Sequence, residues 1–413
     1  MTYRINEANA YNGWDPLKQV VLGNVYKPEF FEDIKDHKLR DLLQKLLYET
    51  HEDLDNIQKT LEDLGVDVVR LHPNLTQAAT LADTSTHGVG YDNIMEYYED
   101  TKSAFNGIPK PALMPRDYLI TMGKKILLTQ QYPEFHKFMT TSGQNFINPD
   151  CLDLRLTVDP KKRKFRGPLI PRKSYVEYDT TYKAEWFDPS IPEGTFTNDP
   201  EYIKAMSYTW GFWAPTVTRV GDTLIIDTKD VENLDDAMVE LYPEFKRTNT
   251  ANGGHSDATF NLPKPGLVIA ASYLNKDDFK ETLPGWEVLQ IGTGKEKTMD
   301  SEYGSWQQQK HITDGKWWTP DAKDNPGYTS FIEQWLSTWT GYSEETQFEV
   351  NMLSVNQNTI LSMNYQKQVH DKLKQHNIEP IYCRFRHRNF WDGGLHCLTL
   401  DTVREGGIQD YFK

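Results

Sequence analysis

The feature that most constrains the fold of this chain is a strand–turn–strand unit that recurs at irregular spacing. It runs through Asp117–Met122, the turn Gly123-Lys124-Lys125 and Ile126–Thr129. It returns as Pro215–Val220, Gly221-Asp222 and Thr223–Asp227, then as Asp257–Leu262, Pro263–Gly266 and Leu267–Ala270. A fourth copy is Glu349–Val355, Asn356-Gln357-Asn358 and Thr359–Ser362. Each copy sets β-favouring residues on both sides of a Gly, Pro or Asn turn, which is the signal of a hairpin. Helical segments follow at Pro133–Ser142, Val231–Leu241, Asn275–Thr282 and Tyr365–His376, and Ile378–Cys383 supplies a third strand after the last of them. A fifth unit draws on both ends of the chain: the strand Leu17–Gly23, a long amphipathic helix Lys38–Leu64 stopped by Gly65, the strand Val66–Leu71, and Leu395–Leu400 to close it. Such repetition predicts quasi-symmetric modules around a centre, with the start of each hairpin aimed at one shared site.

Two long polar stretches, 143–206 and 292–342, break the pattern. The second carries Trp306, Trp317, Trp318, Trp335 and Trp339, an aromatic content that argues for order. Both are expected to be ordered insertions covering one face of a single domain spanning 1–413. With 60 acidic against 45 basic residues the net charge is −15, which disfavours nucleic acid and anionic membranes as partners. Three cysteines suit a reducing compartment rather than a disulfide framework. The N-terminus lacks signal-peptide or transit-peptide character, and no apolar run approaches the roughly 18 residues needed to cross a bilayer. A soluble, cytoplasmic protein is expected.

Three hairpin starts carry chemistry: Met114-Pro115-Arg116-Asp117, Gly254-His255-Ser256-Asp257-Ala258-Thr259-Phe260, and Gly394-Leu395-His396-Cys397. Brought to one centre they supply a thiol, an imidazole and two carboxylates. A thiolate attacks an electron-poor carbon while a nearby His moves protons. Paired carboxylates suit a planar cation, and a guanidinium is that cation. Asp257 lies two residues after His255, so on a strand the two would share a face. Taken singly, each residue has an ordinary structural alternative: a buried small thiol, a satisfied histidine, a turn-capping acid. A zinc site built from Cys383, His387, His396 and Cys397 is disfavoured by its spacing, and a papain-like protease by the missing local Cys motif.

The chain resembles the amidinotransferases, the group that includes arginine:glycine amidinotransferase and relatives in bacterial natural-product pathways. Tyr11–Gly23 looks like the family's opening strand, and Met114–Asp117, His255–Phe260 and Gly393–Thr399 resemble its later motifs in order. The resemblance implies an α/β fold, a five-bladed pseudo-symmetric α/β propeller of the pentein type carrying the long insertions. It implies that Cys397 attacks the guanidine carbon of arginine, releases ornithine, and holds an amidino group until an amine such as glycine takes it. His255 would be the general acid/base, and Asp117 and Asp257 would bind the guanidinium. No cofactor and no metal are expected, the partners are small-molecule substrates, and a homodimer is one possible assembly.

Two departures from the family pattern stand out. Where the family carries an acid-containing segment before the strand at Val217, this chain reads Phe212-Trp213-Ala214-Pro215-Thr216, so Trp213 replaces the acid that orients the catalytic His and Thr216 replaces a second acid. Loss of an orienting acid costs up to several orders of magnitude in rate. Where the family has an Arg for the donor's carboxylate, this chain has Leu274-Asn275. The alternatives are therefore a guanidine-binding pseudoenzyme, a transferase of altered specificity, or a hydrolase in which water resolves the adduct.

Overall fold

The computed structural model describes residues 7–71, 110–117, 119–128, 151–153, 214–227, 242–250, 255–272, 274–291, 319, 322, 325–336, 339–340 and 348–412. Its strands form five three-stranded sheets. One joins the two ends of the chain: β1 (Leu17–Leu22) lies between β2 (Asp67–Arg70) and the last strand, β15 (Thr399–Arg404). The others follow in sequence. They are β3 (Leu119–Met122), β4 (Lys125–Leu128) and β5 (Cys151–Asp153); β6 (Val217–Val220), β7 (Thr223–Asp227) and β8 (Lys246–Thr250); β9 (Phe260–Lys264), β10 (Leu267–Ala271) and β11 (Glu287–Ile291); and β12 (Leu353–Asn356), β13 (Thr359–Ser362) and β14 (Glu379–Tyr382). In each of these four sheets the first two strands are antiparallel and the third joins parallel to the second. The five repeats read from the sequence are thus five blades of an α/β propeller.

Local chemistry explains the blades. The turns after β3, β6 and β9 pass through Gly123, Gly221 and Gly266 at φ of +58°, +68° and +85°, a region that side chains disfavour. The fourth hairpin uses Asn356 instead, whose Oδ1 accepts from Asn358 N at 2.8 Å. The long helix α1 (His37–Asp63) starts at Asp36, whose carboxylate accepts from Lys38 N and Leu39 N. Leu43, Leu46, Leu47, Leu54, Ile57 and Leu61 recur at helical spacing and are fully buried. Each contributes roughly 1.5–3 kcal/mol of burial. Gly65 ends the helix at φ +81°.

Residues from all five blades line one axial cavity of about 60 Å³, among them Trp14, Arg116, Arg219, Asp257, Met352 and His396. The first strand of each of the four sequential blades, and β15 in the blade that joins the chain ends, is therefore innermost, and what precedes that strand sits at the centre. Behind the centre lies a buried ion cluster. Asp401 on β15 accepts from Arg116 Nη2 at 2.8 Å, Arg219 Nη2 at 2.6 Å and Arg404 Nε at 2.6 Å. One carboxylate thus ties together three guanidinium groups from three blades.

Several expectations need correction. His255 to Thr259 do not begin a strand: Ser256–Thr259 form one helical turn, α2, and β9 starts only at Phe260. The shared-face argument for His255 and Asp257 therefore does not hold. Ser, Asp and Thr at this junction favour a local turn over a ladder. Asp117 ends a 3-10 turn, Pro115–Asp117, and the strand expected from Leu395 begins at Thr399. Helices α3 (Lys276–Thr282) and α5 (Lys367–Gln375) match their predicted segments within a residue or two. The predicted helices at 133–142 and 231–241 lie outside the described residues, as do Trp213, Trp306, Trp317 and Trp318. From the second insertion, α4 (Pro326–Trp335) and Trp339 are described, and Trp339 is buried in the core with its ring stacked on Trp391 at 5.4 Å. Among the described residues no helix is long and apolar enough to cross a membrane.

Candidate active site

Cys397 lies in the tight turn just before β15, only 3% exposed. Two features fix that turn. From behind, Arg116 donates its Nε to the carbonyls of His396 at 3.0 Å and Thr399 at 2.9 Å. The Arg of the Met-Pro-Arg-Asp segment is thus an anchor that ties the cysteine loop to the buried ion cluster. From the side, a Cβ on Gly394 would lie 2.4 Å from Asn351 Oδ1, and one on Gly393 would lie 2.3 Å from Met114 Cε. The glycine pair is explained by these close neighbours within the protein.

The thiol faces acids. Cys397 Sγ donates towards Asp257 Oδ2 at 3.5 Å, and the same oxygen lies 2.8 Å from His396 Nδ1. Burial, then the negative charges of Asp257 and Asp117, push the thiol well above its ordinary value. The two carboxylates are driven apart. Burial raises Asp117, with the charges of His255 and Lys110 pulling the other way. Burial would also raise Asp257, but the hydrogen bond and charge of His396, helped by His255 and Arg116, hold it below the usual carboxylate value. His396 is itself kept low, first by burial and then by the charge of Arg116, so its ring is neutral near pH 7. The outcome is a neutral thiol beside an ionised Asp257, with Asp117 close enough to act on the thiol and His255 close enough to act on both carboxylates.

The structure thus brings together Cys397, His255, Asp117 and Asp257, the four residues singled out by sequence. It adds two that sequence reasoning passed over. His396 entered only as a zinc candidate, yet its imidazole is paired to Asp257. His387 and Cys383 are held elsewhere, His387 against Glu49 on α1 and Cys383 in the core. Asn351 was not singled out at all. It is fully buried two residues before β12, at the start of its own hairpin, and its side chain touches two others. Its Oδ1 accepts from His396 N at 2.9 Å and Cys397 N at 3.2 Å, and its Nδ2 reaches Asp257 O at 2.9 Å and Cys397 Sγ at 3.0 Å.

The segments that depart from the family pattern are only partly placed. Thr216 ends a buried 3-10 turn before β6. Leu274 packs in the core, and Asn275 is committed to capping α3 through Asp277 N. Neither is arranged to take a carboxylate.

Comparison with known proteins agrees with this architecture. No protein-family profile matches the chain. Over 433 residues it is 22% identical to the mitochondrial glycine amidinotransferase of Xenopus laevis, covering 98% of this chain and 84% of that one. It is 20% identical over 425 residues to inosamine-phosphate amidinotransferase 1 of Streptomyces glaucescens, with 98% of each covered. Among solved structures, an amidinotransferase of the saxitoxin biosynthetic pathway from Microseira wollei superposes with a TM-score of 0.54 at 16% identity, over 98% of this chain and 100% of that one. An inosamine-phosphate amidinotransferase from Streptomyces griseus gives a TM-score of 0.52 at 18% identity, over 98% and 99%. The fold is that of the pentein-type α/β propellers. The resemblance read from the motifs holds along essentially the whole chain: its curated relatives here are named amidinotransferases, and the chain shares the fold of solved amidinotransferases.

Proposed function

We propose that the protein moves an amidino group from arginine, or a related guanidine, to an amine through a covalent amidino-cysteine on Cys397. The observation that carries this reading is the thiol set against Asp257 at 3.5 Å, with Asp117 acting on the same sulfur. Two acids around a buried thiol suppress its ionisation while the site is empty. A guanidinium entering between them supplies positive charge and reverses that effect, so the thiolate forms where its target already sits. Asp257 Oδ1 is buried without a hydrogen-bond partner among the described residues, which supports its role as an acceptor for guanidinium N–H groups.

In the first half-reaction the Cys397 thiol gives its proton to His255 and the sulfur bonds to the guanidine carbon. His255 returns the proton to the departing nitrogen, the C–N bond breaks, and ornithine leaves when arginine is the donor. In the second, an amine attacks the amidino carbon and loses a proton to His255, which passes it to the sulfur as the C–S bond breaks, restoring the thiol. The relatives' names specify glycine and inosamine phosphate, and an amine of that general kind is the acceptor here. This chemistry asks for no cofactor. With Leu274 and Asn275 otherwise engaged, a donor carboxylate finds its partner elsewhere in the pocket. The reading places a single domain across 1–413, working in the cytoplasm. Three cysteines, two of them free and buried, support a reducing compartment, and a homodimer is the assembly proposed.

The test is intact-mass spectrometry of the protein after incubation with arginine and a panel of other guanidines. One amidino group should appear on Cys397, with ornithine released from arginine and no adduct on Cys397→Ser. Absence of an adduct with every donor would refute covalent transfer. Binding without an adduct would favour the binding-only protein that Trp213 suggests, and citrulline or urea formed without an acceptor amine would favour a hydrolase.

A further inference from the structure

We propose that Asn351 is the side chain that donates to the Cys397 sulfur and stabilises the thiolate from which its attack starts. The inference rests on the reading of Cys397 as the nucleophile. Asn351 is fully buried, and all four of its described hydrogen bonds go to the cysteine turn or to Asp257.

The orientation of the amide follows from its partners. Two backbone N–H groups, those of His396 and Cys397, converge on one end of the side chain, and only an oxygen can accept them. The amide nitrogen must then face the other way, where it meets Asp257 O, an acceptor, and Cys397 Sγ at 3.0 Å. The network leaves no satisfactory flipped arrangement. Gly394 completes it, because any larger residue there would displace Asn351 Oδ1.

The need for such a donor comes from the acids. Asp257 lies 3.5 Å from the sulfur and Asp117 adds to its field, so the negative charge of a thiolate is opposed from two sides. Among the described residues Asn351 supplies the side-chain hydrogen bond that favours the ionised sulfur. It does so without bringing a charge that would compete with a guanidinium for the two carboxylates. An Arg or Lys at this position would stabilise the thiolate more strongly, but it would occupy the cation's place. A neutral donor is the solution that leaves the acids to the substrate. Asn351 also joins three hairpin starts, so the distance from the sulfur to Asp257 is set by one rigid side chain.

The decisive variant is Asn351→Asp, which keeps the shape and the accepting oxygen but turns the donor facing sulfur into an acceptor. The readout is the pH dependence of Cys397 alkylation by iodoacetamide, followed by peptide mass mapping on folded protein, with thermal unfolding recorded in parallel. The alkylation profile of Asn351→Asp should move to higher pH by about one unit or more, and the rate at a fixed pH below the midpoint should fall about tenfold or more. Asn351→Ala should move it the same way by less. A role confined to structure would lower the unfolding temperature and leave the profile of the folded fraction unchanged, and that result would overturn the proposal. If Asn351→Asp fails to fold, the Ala profile decides: an alkaline shift supports the donor, and coincidence with the wild type refutes it. Alkylation needs no guanidine. A shifted profile without amidino transfer would therefore sink the transfer reading alone, and transfer with unshifted profiles would sink the role of Asn351 alone.

Discussion

Replacing Asp257 with Asn should make Cys397 more reactive while abolishing transfer. The carboxylate oxygen lies 3.5 Å from the sulfur, and both groups are buried. At that separation and an effective dielectric of about 20, two unit charges interact by about 5 kcal/mol. About 1.4 kcal/mol corresponds to one pH unit, so the ceiling on the shift is about 3 units. Spread of the charge over two oxygens, the hydrogen bond between Asp257 and His396 and the persistence of Asp117 reduce it, and a fall of about 1 to 3 units in the thiol's titration is expected. The assay is the rate of iodoacetamide alkylation from pH 7 to 10, resolved by peptide mapping so that Cys151 and Cys383 are scored apart from Cys397. At neutral pH Asp257→Asn should be alkylated at least tenfold faster than the wild type. Amidino-adduct formation should be lost, since Asp257 is a proposed anchor of the guanidinium. Reactivity and turnover would then move in opposite directions, which is the signature of an acid that restrains the thiol until substrate arrives. Alkylation unchanged or slower in Asp257→Asn would show that this carboxylate does not control the sulfur, and the electrostatic account of the site would fall.

Two further outcomes concern stability. Asp401 is the single carboxylate shared by Arg116, Arg219 and Arg404, and their charges hold it well below its ordinary value despite burial. Asp401→Asn leaves three buried guanidiniums without it and should cost about 3–5 kcal/mol in urea unfolding, whereas a loss under about 1 kcal/mol would mean the cluster is compensated elsewhere. The imidazoles of His51, His387 and His396 are all kept below 6.5, chiefly by burial. The unfolded chain therefore takes up more protons than the folded protein as pH falls through 6.5, and stability declines over that window. Asp15 and Asp117, shifted upwards chiefly by burial, act in the opposite sense. Urea midpoints at about pH 7.5 and about pH 5.5 should differ in that direction, and an equal or higher midpoint at the acid end would contradict the assignment of neutral, buried histidines.

What the sequence could reveal about this fold and site depends on whether each signal is local. The blades were legible because a hairpin is written in adjacent residues: period-two runs and a turn such as Gly123, Gly221 or Gly266 that relieves a positive φ. Cys397, Asp117 and Asp257 stood at hairpin starts in recognisable company. The expectation at His255 extends a strand through Ser256, Asp257 and Thr259, residues whose side chains prefer turns, so its geometric reason for pairing His255 with Asp257 fails. Asn351 was missed because its partners lie 46 and 94 residues away and nothing nearby marks it. In Glu349–Val355, read as a strand, it is one more polar residue. A signal was nonetheless present. Three hairpin starts advertise chemistry through acids, a His or a Cys, whereas Val350-Asn351-Met352 in the fourth copy carries none of these. Quasi-symmetry makes no such distinction: every blade points the start of its innermost strand at the same centre. A buried amide there can act only by donating and accepting hydrogen bonds. Asn351 does both, accepting from the cysteine turn and donating to the sulfur.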